Sequence, residues 1–178
     1  KQQERFLEVG RHTLKERLSR LRALKKALEH KYRQALREAL YADFKKPFLE
    51  TDLTEIYPVL AEIRHAEQNL RDWMRPRRVS SPLPMLGSRS YIQYESKGVC
   101  LILSPWNFPI NLTFGPLVSA IAAGNCCILK PSEATPATSQ LMQEIVQDLF
   151  DPSEIALIQG EVATAQALLD LPFHHIFF

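Results

Sequence analysis

The sequence predicts an α/β protein: a helical amino-terminal part followed by a parallel sheet wrapped in helices. Within Leu14 to Leu40, and again within Leu53 to Trp73, apolar residues recur at spacings of three, four or seven, the pattern of an amphipathic helix. Beyond Gly98, short unbroken apolar runs such as Val99-Cys100-Leu101-Ile102-Leu103 and Cys126-Cys127-Ile128-Leu129 alternate with helical stretches. Strands that are apolar on both faces belong to parallel sheets covered on both sides, and right-handed crossovers make such a unit doubly wound and Rossmann-like.

Leu14, Leu18, Leu21, Leu28, Tyr32, Leu36 and Leu40 mark one long helix, which Gly10 separates from a shorter one before it. A second helical pattern runs through Leu53, Ile56, Leu60, Ile63, Leu70 and Trp73. Thr51 or Asp52 is placed to cap it, and Pro58 either kinks it or marks its true beginning. Pro76 to Gly87 holds three prolines without periodicity and reads as an irregular connector. Ser90 to Glu95 alternates and suits a half-buried strand. The spacing then predicts strands near 99–104, 126–130, 155–159 and 174–178, with helices near 110–123, 136–149 and 161–170. The last run, ending at Phe177-Phe178, reads as a buried strand that further sequence is expected to cover.

The 178 residues, 46% hydrophobic and 24% charged, suffice for one sizeable core. A net charge of +2 is too small to argue for nucleic acid or an anionic membrane, and the basic residues of the first helices read as solvated faces. No apolar run reaches the roughly 20 residues of a membrane span, and the start lacks a signal-peptide segment. Lys1 stands where an initiator Met is absent, so the natural start is expected elsewhere. Cys100, Cys126 and Cys127, odd in number and in apolar surroundings, argue against a disulfide framework and for a reducing, cytoplasmic setting.

Ser104-Pro105-Trp106-Asn107-Phe108-Pro109 follows an apolar strand, at the carboxyl edge where open α/β sheets hold ligands. Asn107 is either a preorganised N–H donor aimed at developing negative charge or a cap on the next helix, and spacing alone favours the cap. Lys130 and Glu133 close the next strand at the same edge, where they suit the hydroxyls of a nucleotide ribose or a solvated loop. Gly160 closes the third strand, as a turn residue or as room for a ligand. Neither a Gly-x-Gly-x-x-Gly fingerprint nor a phosphate-binding Walker loop occurs. Cys126 and Cys127, inside a strand, read as packing residues and point to opposite faces, which excludes a shared metal. The five histidines show no ligand spacing, and no metal site is assigned.

Taken together, Pro105-Trp106-Asn107-Phe108-Pro109, Ala122-Ala123-Gly124-Asn125, Leu129-Lys130-Pro131-Ser132-Glu133 and Ala39-Leu40-Tyr41-Ala42-Asp43-Phe44 resemble the aldehyde dehydrogenase superfamily in order and spacing. The resemblance spans nearly the whole chain. It lies nearest the short, class 3-like members, which oxidise aromatic, medium-chain or long-chain aldehydes. It implies that Asn107 donates to the oxyanion formed when a cysteine thiolate attacks an aldehyde, with hydride then passing to a nicotinamide. It further implies that Ser104 and Trp106 line the cofactor cleft, Lys130 and Glu133 hold the adenosine ribose, and Gly160 borders the adenine pocket. NAD is the expected cofactor, NADP being possible, since Glu133 would repel a 2′-phosphate.

The same resemblance divides the chain into a helical part of the cofactor-binding domain with its connector (1–87), an oligomerisation arm strand (88–97) and an incomplete Rossmann-like βαβ part (98–178). A homodimer or larger homo-oligomer is expected of the complete enzyme. The family's Gly-rich pyrophosphate turn, general-base glutamate and nucleophilic cysteine are expected beyond Phe178, so the residues in hand are expected to be inactive alone. Two other functions remain open: a truncated non-catalytic binding or oligomerisation module, and a related semialdehyde or acyl-phosphate reductase. A nucleic-acid-binding role for the basic first helix is disfavoured by its acidic residues and lack of aromatic interleaving.

Overall fold

A computed structural model describes residues 1–178. The helical part comprises α1 (Gln2–Gly10), α2 (Leu14–Lys26), α3 (Arg33–Phe44), α4 (Phe48–Thr51) and α5 (Tyr57–Trp73). Two short strands follow, β1 (Arg77–Val79) and β2 (Ser90–Ile92). The sheet unit is β3 (Val99–Leu103), α6 (Pro109–Ala123), β4 (Cys126–Lys130), α7 (Pro136–Leu149), β5 (Ile155–Leu157), α8 (Val162–Leu169) and β6 (His175–Phe177).

Thr13 opens α2 with a capping box: its side chain accepts from the Glu16 amide and the Glu16 carboxylate accepts from the Thr13 amide. The single long helix expected through Leu40 is instead two. Ala27 to Lys31 forms a wide turn in which the Tyr32 N–H reaches back five residues to Ala27 O, at 2.8 Å. Such an inserted residue shifts the phase of the helix, yet Leu28, Leu36 and Leu40 all remain fully buried. A second wide turn, Asp52 to Ile56, precedes α5. Pro58 therefore marks the beginning of α5 rather than a kink, in the first turn where its missing N–H costs nothing. Neither Thr51 nor Asp52 caps that helix. Thr51 lies within α4, and the Asp52 carboxylate instead accepts from Arg37 and, at 2.7 Å, from Arg33.

The connector is less irregular than its prolines suggest, because Arg77–Val79 pairs antiparallel with Ser90–Ile92. Three residues, Arg77 to Val79, are too few to show a period, so β1 leaves no local signal. The expected arm strand correspondingly stops at Ile92, short of Glu95.

The main sheet is parallel with strand order β5-β4-β3-β6. The chain steps outward from β3 to β5, then crosses back to place β6 on the other side of β3, the order of a Rossmann half. Register assigns the faces. Cys100, Ile102, Cys127, Leu129, Ile155 and Leu157 join α6, α7 and the leucines of α2, α3 and α5 in one core of 28 buried residues. On the opposite face Val99 and Cys126 pack against Val9 and Phe6 of α1 and against Phe173. Helices thus cover both faces, as the apolar strands predict.

Long-range polar contacts fasten the helices to the sheet. Gln2 donates to Cys127 O at 3.0 Å, and the buried Glu154 carboxylate accepts from Arg20 at 2.7 Å and Arg5 at 3.3 Å. Arg17, buried in α2, donates to Ala122 O at 2.8 Å at the carboxyl end of α6, and to Gly10 O and His12 O. Its guanidinium leaves no room beside Gly124 (φ 78°), where a Cβ would lie 2.6 Å from Arg17 Nη2.

Hydrogen bonding to Arg37, and after it to Arg33, holds the Asp52 carboxyl down to about 2 against an ordinary 3.8. Its folded pKa is depressed, so its contribution is complete above the unfolded value and disappears as pH falls through about 2. Asp52→Asn is expected to cost roughly 2 kcal/mol at pH 7. In urea titrations the gap from the parent closes between pH 4 and pH 2; a gap independent of pH would show the ion pair contributes nothing.

Candidate active site

The carboxyl ends of the parallel strands lie along one edge, so the loops after β3, β4 and β5 are neighbours. Ser104 N donates to Lys130 O at 3.0 Å and Ile158 N to Leu129 O at 2.9 Å, extending the ladder into these loops. Ser104 is 7% exposed and its hydroxyl has no partner within the chain. Trp106, 57% exposed, leans against Phe44 with ring centroids 6.2 Å apart. Asn107 is exposed between them and the helix.

Helix α6 begins at Pro109, and its first free amides, Ile110 N and Asn111 N, both donate to Glu55 Oε2 at 3.1 Å. Glu55, in the wide turn before α5, is fully buried. Its other oxygen accepts from Lys46 Nζ at 2.5 Å, and Lys46 also donates to the backbone oxygen of Asn107 at 3.4 Å. The helix that Asn107 precedes is therefore capped by a carboxylate from elsewhere in the chain. Of the two roles open to Asn107, capping is already filled. Its carboxamide is left uncommitted at the sheet edge, on a loop flanked by Pro105 and Pro109.

Lys130 is 4% exposed, and its ammonium donates to Pro131 O at 2.8 Å and to Glu133 Oε2 at 3.4 Å. Glu133 is half exposed, its carboxyl held below the usual range by its own backbone amide and then by Lys130. The loop is pinned at its far end by Asp43, which accepts from Ala137 N at 3.1 Å and Thr138 N at 2.8 Å in the first turn of α7. Gly160 has φ 149°, and a Cβ there would meet Thr164 Oγ1 at 2.2 Å. The fold thus brings Ser104, Lys130, Glu133 and Gly160 to one edge, with Trp106 and Asn107 on the loop above Ser104.

Glu55, Lys46 and Asp43 are the residues that sequence reasoning passed over. Asp43 and Phe44 stand in one of the quoted motif stretches, but nothing local signals contacts 55 to 95 residues away. The short segment Asp43 to Lys46 touches three parts of the edge: Asp43 the α7 start, Phe44 the Trp106 ring, Lys46 the Asn107 backbone. Lys45 turns it with a left-handed backbone, φ 59°.

The cysteines are packing residues by geometry. Cys100, Cys126 and Cys127 are each at most 4% exposed. Burial pushes the Cys126 thiol up to about 11. Cys100 and Cys127 are register partners on adjacent strands and share a face. Their interaction lowers the Cys100 thiol in spite of its burial, and the same interaction, followed by burial, raises the Cys127 thiol. No group of three His, Cys, Asp or Glu side chains could hold a metal, and no helix is long and apolar enough to cross a membrane.

The sequence profile of the aldehyde dehydrogenase family matches residues 1–177. The chain belongs to the aldehyde dehydrogenase family. Among its relatives within that family, 4,4′-diaponeurosporen-aldehyde dehydrogenase of Staphylococcus aureus is 39% identical over 91% of this chain and 35% of its own length. Aldehyde dehydrogenase family 3 member B1 of Bos taurus is 42% identical over 82% of this chain and 31% of its own. The substrate-bound structure of Staphylococcus aureus AldH superposes with a TM-score of 0.96 at 36% identity, covering 99% of this chain and 38% of that one. The chain thus spans about a third of the length of these relatives. Succinic semialdehyde dehydrogenase of Streptococcus pyogenes, solved with NADP+, shares the fold at 18% identity (TM-score 0.82, 98% of this chain and 37% of that one).

Gly160→Ala combines a backbone conformation that disfavours side chains with a collision against Thr164. The expected loss is about 1 to 3 kcal/mol in thermal or urea unfolding. Unchanged stability would mean that the β5–α8 turn relaxes freely.

Proposed function

We propose that this chain is part of an aldehyde-oxidising enzyme that uses a nicotinamide cofactor, and that Asn107 is its oxyanion donor. The observation that carries this is the uncommitted carboxamide of Asn107, made possible because Glu55 caps α6 in its place. A donor held on a rigid loop stabilises negative charge as it develops, without reorganising.

In this reading a thiolate attacks the aldehyde carbonyl, and the Asn107 Nδ2–H donates to the oxygen on which charge accumulates. Cys100, Cys126 and Cys127 do not supply that thiolate, because each is buried within a strand, out of reach of an aldehyde. The nucleophile and the general base come from sequence outside these 178 residues. The residues at the strand edge fit a dinucleotide. The Ser104 hydroxyl is buried without a partner, the Glu133 carboxylate is half exposed to accept from a ribose hydroxyl, and Gly160 keeps the β5 turn free of a side chain. The bound cofactor would supply the hydride acceptor. Lys130, committed to Pro131 O and Glu133, holds the Glu133 carboxylate in place, and Trp106 forms an exposed wall. A carboxylate at Glu133 favours NAD over NADP, since it repels a 2′-phosphate.

The segment from β2 to Tyr94 supports an oligomerisation arm. Tyr91, Ile92 and Tyr94 are 52%, 37% and 73% exposed, more apolar surface than a lone strand end keeps in water. A homodimer or larger homo-oligomer follows, in a reducing, cytoplasmic compartment consistent with three unpaired cysteines.

Two tests bear on this. In the complete enzyme Asn107→Ala lowers kcat by about two to three orders of magnitude, followed as aldehyde-dependent NADH absorbance. Unchanged turnover would remove Asn107 from the chemistry. The 178 residues expressed alone give no aldehyde-dependent NADH, and steady turnover free of contaminants would overturn the assignment of the nucleophile to sequence outside them.

A further inference from the structure

Glu55 and Lys46 form a buried ion pair whose placement stability alone does not explain. Two charges withdrawn from water lose hydration that their mutual attraction seldom returns in full, and an apolar pair of similar volume is often as stable. Capping α6 does not call for it either, since an Asn, Ser or Asp beside the helix start does the same locally. What the pair adds is a connection. One carboxylate oxygen takes both first amides of α6, at 3.1 Å each. The other takes the Lys46 ammonium at 2.5 Å, which in turn donates to the Asn107 carbonyl at 3.4 Å and lies 4.7 Å from the Phe108 ring centroid. The peptide joining Asn107 to Phe108 is therefore gripped on both sides: by Lys46 at its oxygen, and by Glu55 through the helix that begins one residue later.

We propose, resting on the donor role assigned to Asn107 above, that Glu55 and Lys46 are positioning residues that set the direction of the Asn107 carboxamide. They relieve Asn107 of capping duty and fix the peptide that carries it. Neither touches the reacting atoms. Their effect on rate passes through Asn107, whose side chain must meet the oxyanion within a few tenths of an ångström and a narrow angle to be useful.

The test is a double-mutant cycle in the complete enzyme, with kcat and the KM values for aldehyde and cofactor measured for Asn107→Ala, Glu55→Gln and the combination. Glu55→Gln keeps an oxygen for the α6 amides and removes the charge that holds Lys46. The expected result is a fall in kcat of about ten- to a hundredfold for Glu55→Gln, with the cofactor KM unchanged. In the Asn107→Ala background the same change costs about twofold or less, because the group through which it acts is gone. Should Glu55→Gln fail to fold at the assay temperature, Lys46→Gln reads the same quantity, as its amide still donates to Glu55 while the ammonium is lost; Lys46→Arg, which restores the charge, recovers most of kcat. Full additivity of the two losses, or a cofactor KM that rises with kcat unchanged, overturns the positioning role. If Asn107→Ala itself leaves kcat unchanged, the donor assignment fails, and that outcome is separate from failure of the positioning role.

Discussion

The buried carboxylate of Glu55 joins the helical part of the chain to the sheet unit at the point where both matter. It sits in a wide helical turn, takes the Lys46 ammonium from one side and the opening amides of α6 from the other, and is itself fully enclosed. A charge in that position demands that all its partners be present, since an unpaired buried ion costs far more than the pair contributes. The start of α5, the turn after α3 and the loop after β3 are consequently fixed relative to one another. The wide turn has a purpose here: one extra residue in the helix carries Glu55 to the α6 start while Ile56, Val59 and Leu60 stay in the core.

The sheet unit was legible almost residue by residue. Val99–Leu103, Cys126–Lys130 and Pro136–Leu149 stand where the apolar runs and punctuating glycines and prolines place them. The reason is physical: a strand buried on both faces has no polar positions to blur its ends, and parallel strands need helices between them. The helical half was legible as amphipathic but not as segmented. An inserted residue in a helix disturbs the 3.6-residue period by less than the tolerance of a leucine stripe, so Leu14 to Leu40 reads as continuous. β1 was not legible at all, because its pairing with β2 reaches across the proline-rich stretch.

The site divides along the same line. Ser104, Asn107, Lys130 and Gly160 follow strands, and strand ends can be found from sequence. Whether Asn107 caps α6 could not be read locally, since the group that takes the α6 amides lies 52 residues before it, at Glu55. Cys100 and Cys127 teach the complementary lesson. Neighbours in sequence such as Cys126 and Cys127 are separated by the sheet, whereas the pair that meets is brought together only by strand register.

The contacts of α1 have a consequence for how the protein is made. Gln2 finds its acceptor at Cys127 and the Phe6 ring rests 4.8 Å from that of His174, so α1 docks on residues that leave the ribosome 125 or more positions after it. The intervening strands and helices can collapse among themselves as they emerge, but Val9 and Phe6 wait in solvent until Val99, Cys126 and finally Phe173 arrive. Closing contacts over more than a hundred residues is slow compared with forming α6 against β3 and β4. Helix α1 is thus made before the segments it packs on and joins them late, and in that interval its apolar face is open to proteases and to chaperones.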